Sequence, residues 1–224
     1  MDVASAKNSC SAILVAAGSS RRMGFDKLAA ALGGLPVLRR ALEAFLAVDS
    51  IAEIIVVGPE ARWKLLDGMR FSKPVKRVDG GMNRQESVAA GLAEVTSDYV
   101  AVHDGARPLI SPEDIARCVE AAFVHQSVAL ARRVTETLKR SDAHDCNVAS
   151  VSREHLWCME TPQVFATRLL RAAYTKVSSA NLTVTDEVSA LEAIGVKVKF
   201  IESRHPNLKI TTPADLALAE AYLI

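Results

Sequence analysis

The stretch Ser11–Lys27, SAILVAAGSSRRMGFDK, constrains the fold of this chain more than any other. Ala12 to Ala17 form a short apolar run of the kind that is buried on both faces in a parallel sheet. Gly18 ends it, and Ser19, Ser20, Arg21, Arg22, Met23, Gly24 and Lys27 follow. A buried strand running into a small-residue loop loaded with cations fits an anion site at the carboxyl edge of such a sheet. Small residues let backbone amides approach an oxyanion, and Arg and Lys add full charge. The Walker pattern fails, because Lys27 has no preceding glycine and Leu28 follows it; G-x-G-x-x-G fails as well. On these residues alone, a solvated basic turn remains open beside the anion loop.

The downstream pattern narrows the choice. Pro36 opens a helix with Val37, Leu38, Ala41, Leu42, Phe45 and Leu46 at helical spacing. Glu53–Gly58 reads as a second buried strand, Ala61–Leu66 as a short helix, and Val75–Val78 as a third strand. That strand enters the loop Asp79–Ser87, DGGMNRQES, and a helix runs on to Val95. Tyr99–Val102 is a fourth strand, ending in His103-Asp104-Gly105-Ala106-Arg107-Pro108. Ser111, Pro112 and Asp114 form a capping-box start for the next helix, and Val128–Ala131 is a fifth strand. Strand and helix alternate throughout, so the expected architecture is an α/β, Rossmann-like, doubly wound and mostly parallel sheet. Three strands end in Gly-rich polar loops on the edge where such sheets bind ligands. That co-location favours the anion reading of Arg22 and Lys27.

From Arg132 to about Glu160 the alternation lapses. Val134–Lys139 and Asn147–Val151 read as a hairpin around the polar turn Arg140–Cys146. A hairpin this polar has no face large enough to stand alone. We expect one domain over 1–224 with a protruding arm at about 133–160 that embraces a second subunit, making a homodimer. Beyond the arm, the expected elements are a helix Ala166–Val177, a helix capped by Thr185, a strand Val196–Ile201, a short strand Leu208–Ile210, and a final helix opened by the Thr212–Asp215 capping box.

A formal net charge of +1 over 224 residues leaves no global field for nucleic acid, so any anion site must come from local clusters. Four cysteines show neither C-x-x-C nor metal-like spacing with the histidines, which fits idle thiols in a cytoplasmic protein. No membrane-length apolar stretch and no signal core are present. Nor is there a Ser/His/Asp elbow or H-E-x-x-H. The recurring feature is cations beside turns: Arg22, Lys27, Arg84, Arg107, Arg153 and Lys209, with Asp104 at a strand end. This inventory suits two anionic substrates and a divalent ion, as phosphoryl or nucleotidyl transfer requires.

Gly18–Gly24 (GSSRRMG), Asp79–Ser87, His103–Pro108, Thr161-Pro-Gln163, Thr185-Asp-Glu187 and Asn207–Thr211 (NLKIT) occur in that order. As a set they resemble the 2-C-methyl-D-erythritol 4-phosphate cytidylyltransferases of non-mevalonate isoprenoid synthesis. The resemblance covers nearly the whole chain from Ala12. It implies that CTP and methylerythritol phosphate, with Mg²⁺, give the CDP-linked alcohol and pyrophosphate. It further implies that Arg22 and Lys27 neutralise the triphosphate and that Ala16, Ala17, Gly18 and Ser19 contact the nucleotide through backbone groups. Gly81, Met82 and Ser87 would line the cytosine pocket, Arg84 would hold its loop, and Asp104 and Ala106 would stand at the ribose or metal side. Arg107, Thr137, Arg153, Thr185 and Lys209 would hold the second substrate, with Arg153 and Lys209 aiming its phosphate. Thr137 and Arg153 would reach the partner subunit's site from the arm. The chain departs from the family at Phe25-Asp26-Lys27-Leu28, where a longer loop ending Pro-Lys-Gln is usual; Met23–Lys27 resembles molybdenum-cofactor nucleotidyltransferases instead. The alternatives are a cytidylyltransferase for another sugar-alcohol phosphate such as ribitol 5-phosphate, and a non-catalytic nucleotide-binding regulator. The missing glycine fingerprint disfavours a NAD-dependent dehydrogenase.

Overall fold

The computed structural model describes residues 8–20 and 23–223. Strand β1 (Cys10–Val15) is the centre of the molecule, and all but its last residue are buried. It pairs in parallel with β4 (Ile51–Val57) on one side and β6 (Tyr99–Asp104) on the other. β5 (Val75–Val78) extends the β4 side, again in parallel. Adjacent side chains of β1 go to opposite faces. Ala12 and Leu14 join a core with Leu38, Leu42 and Phe45 of α1 (Val37–Leu46) and Ile115 and Val119 of α4 (Pro112–His125). Ile13 joins another core with Val88 and Leu92 of α3 (Arg84–Ala93) and Leu170, Ala173 and Val177 of α5 (Thr167–Ser179). Each fully buried Leu or Ile contributes about 1.5–3 kcal/mol, so this two-sided burial fixes the sheet.

The far half of the sheet departs from the sequence expectation. The full order is β11-β7-β10-β6-β1-β4-β5, where β7 is Ser127–Arg133, β10 is Trp157–Ala166 and β11 is Lys199–Glu202. β10 lies antiparallel between β6 and β7, and the sequence reading did not anticipate it. Its alternation is broken by Glu160-Thr161-Pro162, where the β10–β7 register shifts between Met159 and Gln163. An irregularity that takes a proline out of the ladder allows one inside a central strand.

Other elements move by smaller amounts. Short strands β2 (Ala31–Leu32) and β3 (Leu35–Pro36) form a small ladder before α1. The short helix after β4 is α2 (Glu60–Trp63), continued by a 3₁₀ turn, Lys64–Leu66. The expected α4 capping box is half made. Ser111 accepts from the Asp114 amide at 3.1 Å, but the Asp114 carboxylate accepts from the amides of Arg204 and His205. The hairpin arm is present as β8 (Leu138–Ser141) and β9 (Asn147–Val151), a two-stranded ladder outside the main sheet. Its first strand begins four residues later than expected, because the Val134 amide is already bonded to Leu156 O. Asp186, not Thr185, caps α6 (Glu187–Glu192), accepting from the Ser189 amide. Leu208–Ile210 forms no strand and joins no ladder among the described residues, and the predicted strand from Val196 shortens to β11. The Thr212–Asp215 capping box of α7 (Pro213–Ala221) is complete.

α3 can lie close to the sheet because of Gly91. A Cβ there would stand 2.8 Å from Val57 Cγ2 and 2.9 Å from Ile13 Cγ2. Alanine would gain about 1 kcal/mol of helix propensity, but overpacking a dense core costs about 1–3 kcal/mol. Gly91→Ala is therefore expected to destabilise the protein by about 1 kcal/mol, and at most about 2, read as a lower urea midpoint with unchanged slope. An unchanged or higher midpoint would show that α3 moves freely away from β1.

Candidate active site

Three loops leave the carboxyl ends of β1, β5 and β6 and meet the segment 207–211. The β1 loop stays close to the sheet at first, since the Ala16 amide bonds Val57 O at 2.7 Å. The β5 loop is held by the start of α3. Asn83 caps that helix by accepting from the Glu86 amide, and Ser87 Oγ accepts from the Gly81 amide at 3.1 Å while donating to Asn83 O. Gly80 sits where a Cβ would come within 2.4 Å of Ala17 Cβ, so the two loops touch only because it is glycine. The β6 loop is tied to β1 by the Gly105 amide on Val15 O.

These loops enclose a cavity of about 310 Å³. Its walls include Ala17, Gly18, Ser19 and Lys27 from the first loop and Gly81, Met82, Arg84 and Ser87 from the second. Asp104, Ala106 and Lys209 close the other side. Met82 is 97 % exposed at the rim. Arg107 lines an adjoining cavity of about 450 Å³, to which Lys209 is common. Ala16 is buried behind the first cavity. Arg22 lies outside the described residues.

Among the described residues, three of the predicted side chains lie apart from both cavities: Thr137, Arg153 and Thr185. Thr137 and Arg153 are exposed at the arm, where the Arg153 guanidinium donates to Thr135 O. Thr185 is exposed and its hydroxyl meets Ser189 Oγ.

The charged groups form an alternating chain. Lys209 Nζ donates to Asp104 Oδ2 at 2.6 Å, and Arg84 Nε donates to Asp104 Oδ1 at 3.1 Å. The rest of the Arg84 guanidinium makes a fork with Glu187, at 2.7 and 2.9 Å. Glu187 is fully buried and also accepts from Tyr174 Oη. Burial alone would raise the Asp104 carboxyl, but Arg84 and Lys209 outweigh it and hold the group well below the usual carboxylate range. For Arg84, burial works against the charge, yet Glu187 and Asp104 raise its pKa above the ordinary value. Lys27 Nζ donates to Ile210 O at 2.9 Å, which brings it to the same segment as Lys209.

Several participants carry no assigned role in the sequence reading, although Gln163, Asn207 and His103 lie within its motifs; only Arg62 lies outside them. Gln163 Oε1 accepts from the amides of Glu187 and Val188, and its Nε2 donates to Asp186. Asn207 donates to Thr161 O and Glu160 Oε2. Arg62 reaches the β1 loop from α2. His103 is fully buried; its Nε2 faces Arg107 O at 3.1 Å and its Nδ1 faces Thr161 Oγ1 at 3.0 Å. A carbonyl can only accept, so Nε2 carries the proton, and Nδ1 accepts from Thr161, which accepts in turn from the Asp104 amide.

A mixed α/β sheet whose carboxyl edge gathers glycine loops, lysines and an arginine–carboxylate chain is a nucleotidyltransferase site. Comparisons with known proteins make the class specific. The model for the family described as 2-C-methyl-D-erythritol 4-phosphate cytidylyltransferase (IspD) matches residues 10–224. The enzyme of that name from Caldanaerobacter subterraneus is 39% identical over 222 residues, 95% of this chain and 98% of its own. The chloroplastic enzyme from Oryza sativa is 37% identical over 220 residues, 96% of this chain and 74% of its own. The crystal structure of 4-diphosphocytidyl-2C-methyl-D-erythritol synthase from Anaerococcus prevotii superposes with a TM-score of 0.85 at 30% identity, covering 97% of this chain and 96% of that one. The Thermus thermophilus cytidylyltransferase gives 0.78 at 31%, covering 94% and 97%. The chain belongs to the 2-C-methyl-D-erythritol 4-phosphate cytidylyltransferase family.

The buried imidazole gives a pH test. Burial lowers the His103 pKa from its ordinary 6.5 to about 4. The folded protein then holds the ring neutral while the unfolded chain protonates it. This stability is fully present above about pH 6.5 and is lost as pH falls towards 4, about 3 kcal/mol in all. The urea midpoint is expected to fall between pH 6.5 and 4.5, and in His103→Asn, weaker at pH 8, the fall should be shallower. Equal slopes would assign the acid sensitivity to other groups.

Proposed function

We propose that the protein transfers the cytidylyl group of CTP to 2-C-methyl-D-erythritol 4-phosphate, giving 4-diphosphocytidyl-2-C-methyl-D-erythritol and pyrophosphate. A phosphate oxygen of the methylerythritol phosphate attacks the α-phosphorus of CTP. The new P–O bond forms as the bond to the β-phosphate oxygen breaks, and pyrophosphate carries away the electron pair. The observation that carries this reading is the convergence of Lys27, Arg84 and Lys209 on one cavity lined by backbone of Ala17–Ser19, in a chain of this family.

No general base is needed. A phosphate monoester has its second pKa at about 6, so the nucleophile is ionised near neutrality. What opposes reaction is repulsion between two polyanions, and positioned cations lower that barrier. Lys27, with Arg22, is assigned to the triphosphate and to charge building at the α-phosphorus. Ala16, Ala17, Gly18 and Ser19 contact the nucleotide through backbone. Gly81, Met82 and Ser87 take the base, and Asp104 and Ala106 the ribose side. Arg84 serves the site by holding Asp104 and the β5 loop. Lys209 and Arg107 receive the second substrate, and Lys209 aims its phosphate; Thr185, which lines neither cavity, is assigned no contact.

Magnesium would enter with the triphosphate. Among the described residues no three His, Cys, Asp or Glu side chains gather as a cage. Asp104, the one carboxylate lining the cavity, gives both oxygens to Arg84 and Lys209. The donor set does not fit a resident, protein-held metal, and no step is assigned to one.

Thr137 and Arg153 fit this reaction if the arm crosses to a second subunit in a homodimer. Their exposure, far from the cavity of their own chain, supports that arrangement. Among the described residues no helix is long and apolar enough to cross a membrane. The cytoplasm is the proposed location.

Pyrophosphate release with CTP and Mg²⁺ is expected with methylerythritol 4-phosphate and much less with ribitol 5-phosphate. Preference for ribitol phosphate would move the substrate, and silence with both despite CTP binding would favour a regulator. Lys209→Ala and Arg153→Ala are each expected to lose most of kcat. Mixed, they should regain activity, since each mixed dimer has one intact site, about a quarter of all sites after random exchange. No recovery would place Arg153 outside the partner's site.

A further inference from the structure

We infer that Arg62 is a positioning residue for the phosphate-binding loop, fixing both its amides and Lys27 from behind. This rests on reading the cavity as a triphosphate site. Arg62 lies on α2 with 6 % of its surface exposed, and it does not line the cavity. Its three nitrogens have three different targets. Nη1 donates to Ala16 O, Nη2 to Gly18 O at 2.6 Å, and Nε to Asp26 Oδ2 at 3.0 Å. One rigid guanidinium fork therefore holds the loop where it leaves β1 and again where it brings Lys27 round.

The geometry of the peptide unit makes this consequential. In a trans peptide the N–H of a residue points opposite to the preceding C=O. The only cis bond among the described residues is Thr161–Pro162. With Ala16 O and Gly18 O turned to Arg62, the amides of Ala17 and Ser19 point away from it. Both residues line the cavity, and neither amide donates to a protein acceptor among the described residues. Two unsatisfied amides aimed one way from a small-residue loop form an anion nest. Arg62 sets their direction by holding the other end of each peptide.

Asp26 extends the control to Lys27. Its Oδ2 pairs with Arg62, and its Oδ1 accepts from the Leu28 amide at 3.0 Å. The carboxylate thus fixes the residues on both sides of Lys27, whose own amide lies 3.4 Å from Ser20 Oγ. This is where the chain departs from the longer Pro-Lys-Gln loop. The Asp26–Arg62 pair stabilises the shorter turn and sets the lysine's place. Lysine could not substitute for Arg62, because an ammonium on a flexible stem does not span three acceptors in fixed directions.

The test measures CTP and inorganic tripolyphosphate binding by calorimetry, with steady-state kinetics for both substrates. Arg62→Met is expected to weaken both ligands by about tenfold or more, the loss of charge-assisted hydrogen bonds at the loop. KM for methylerythritol phosphate should stay within about twofold, and Arg62→Lys should restore little of the CTP affinity. A bracing role alone would lower the melting temperature and leave tripolyphosphate affinity intact in the folded protein; that result overturns the inference. Should Arg62→Met not fold, Asp26→Asn decides. Weaker CTP binding at an unchanged melting temperature supports the inference, and unchanged binding overturns it. If the wild-type protein binds neither CTP nor tripolyphosphate, the reading of the cavity fails and the inference with it. If it binds both and the variants match it, only the inference fails.

Discussion

The charge chain Glu187–Arg84–Asp104–Lys209 holds the functional edge together. It joins four separate parts of the sequence: the start of α6, the first turn of α3, the end of β6 and the segment before α7. Such a chain is not there for stability alone. Taking a carboxylate out of water costs several kcal/mol, and a buried pair often only offsets that cost. Glu187 has no exposed surface, yet a bidentate Arg84 and the Tyr174 hydroxyl satisfy it. The gain is directional. Arg84 cannot turn without breaking the fork, so Asp104 is fixed, and Asp104 in turn fixes Lys209 at the cavity wall. Removing one member would leave a buried charge uncompensated, which is why the chain constrains the fold as a unit.

Much of this architecture is legible in the sequence, for physical reasons. β1 and the Ile54–Val57 part of β4 are short continuous apolar runs buried on both faces, and such runs stand out in a sequence. The capping signals of α4 and α7 are local chemistry and place helix starts well. β10 was missed because it carries Glu160, Thr161 and Pro162 inside a central strand, which local propensity rejects. Only the tertiary setting satisfies it: Asn207 reaches Glu160 Oε2 and Thr161 O, and Thr161 receives the Asp104 amide. The individual loop residues followed from the motif resemblance, whereas the cavity-lining lysines were legible because turns and cations mark the sheet edge. Arg62 was not. One arginine on a four-residue helix has no local pattern, and its role exists only once α2 packs behind the β1 loop.

The separation of Arg153 and Thr137 from the cavity has a physical logic. β8 and β9 pair only with each other, and Leu138–Ser141 and Asn147–Val151 show mostly exposed side chains. A two-stranded ribbon of that kind is marginal by itself. The arm root is firmer, since the Arg133 guanidinium lies 4.4 Å over the Trp157 ring and Trp157 meets Phe200 edge-on. A ribbon anchored at its base and bare at its tip suits a surface that gains its remaining contacts from another copy of the chain. In the proposed dimer, each nucleotide site then borrows a cation from across the interface.

That borrowing fits the electrostatics of the reaction. A cavity that brings CTP and a second phosphate together must offset their repulsion with positive charge. Within this chain, Arg84 and Lys209 are tolerated side by side because Asp104 lies between them, and Arg84 has Glu187 behind it. Arg107 lacks that cover: burial lowers its pKa more than Asp104 and Glu160 restore it, and its buried Nε has no hydrogen-bond partner among the described residues. Adding a further cation beside Arg107 would deepen that strain. In the proposed dimer, an exposed arm of the partner would bring that charge to a surface where water and the substrate phosphate screen it. The same economy explains the β1 loop. In the proposed site, amides aimed by Arg62 would supply partial positive charge to the triphosphate without adding another full charge to the cavity.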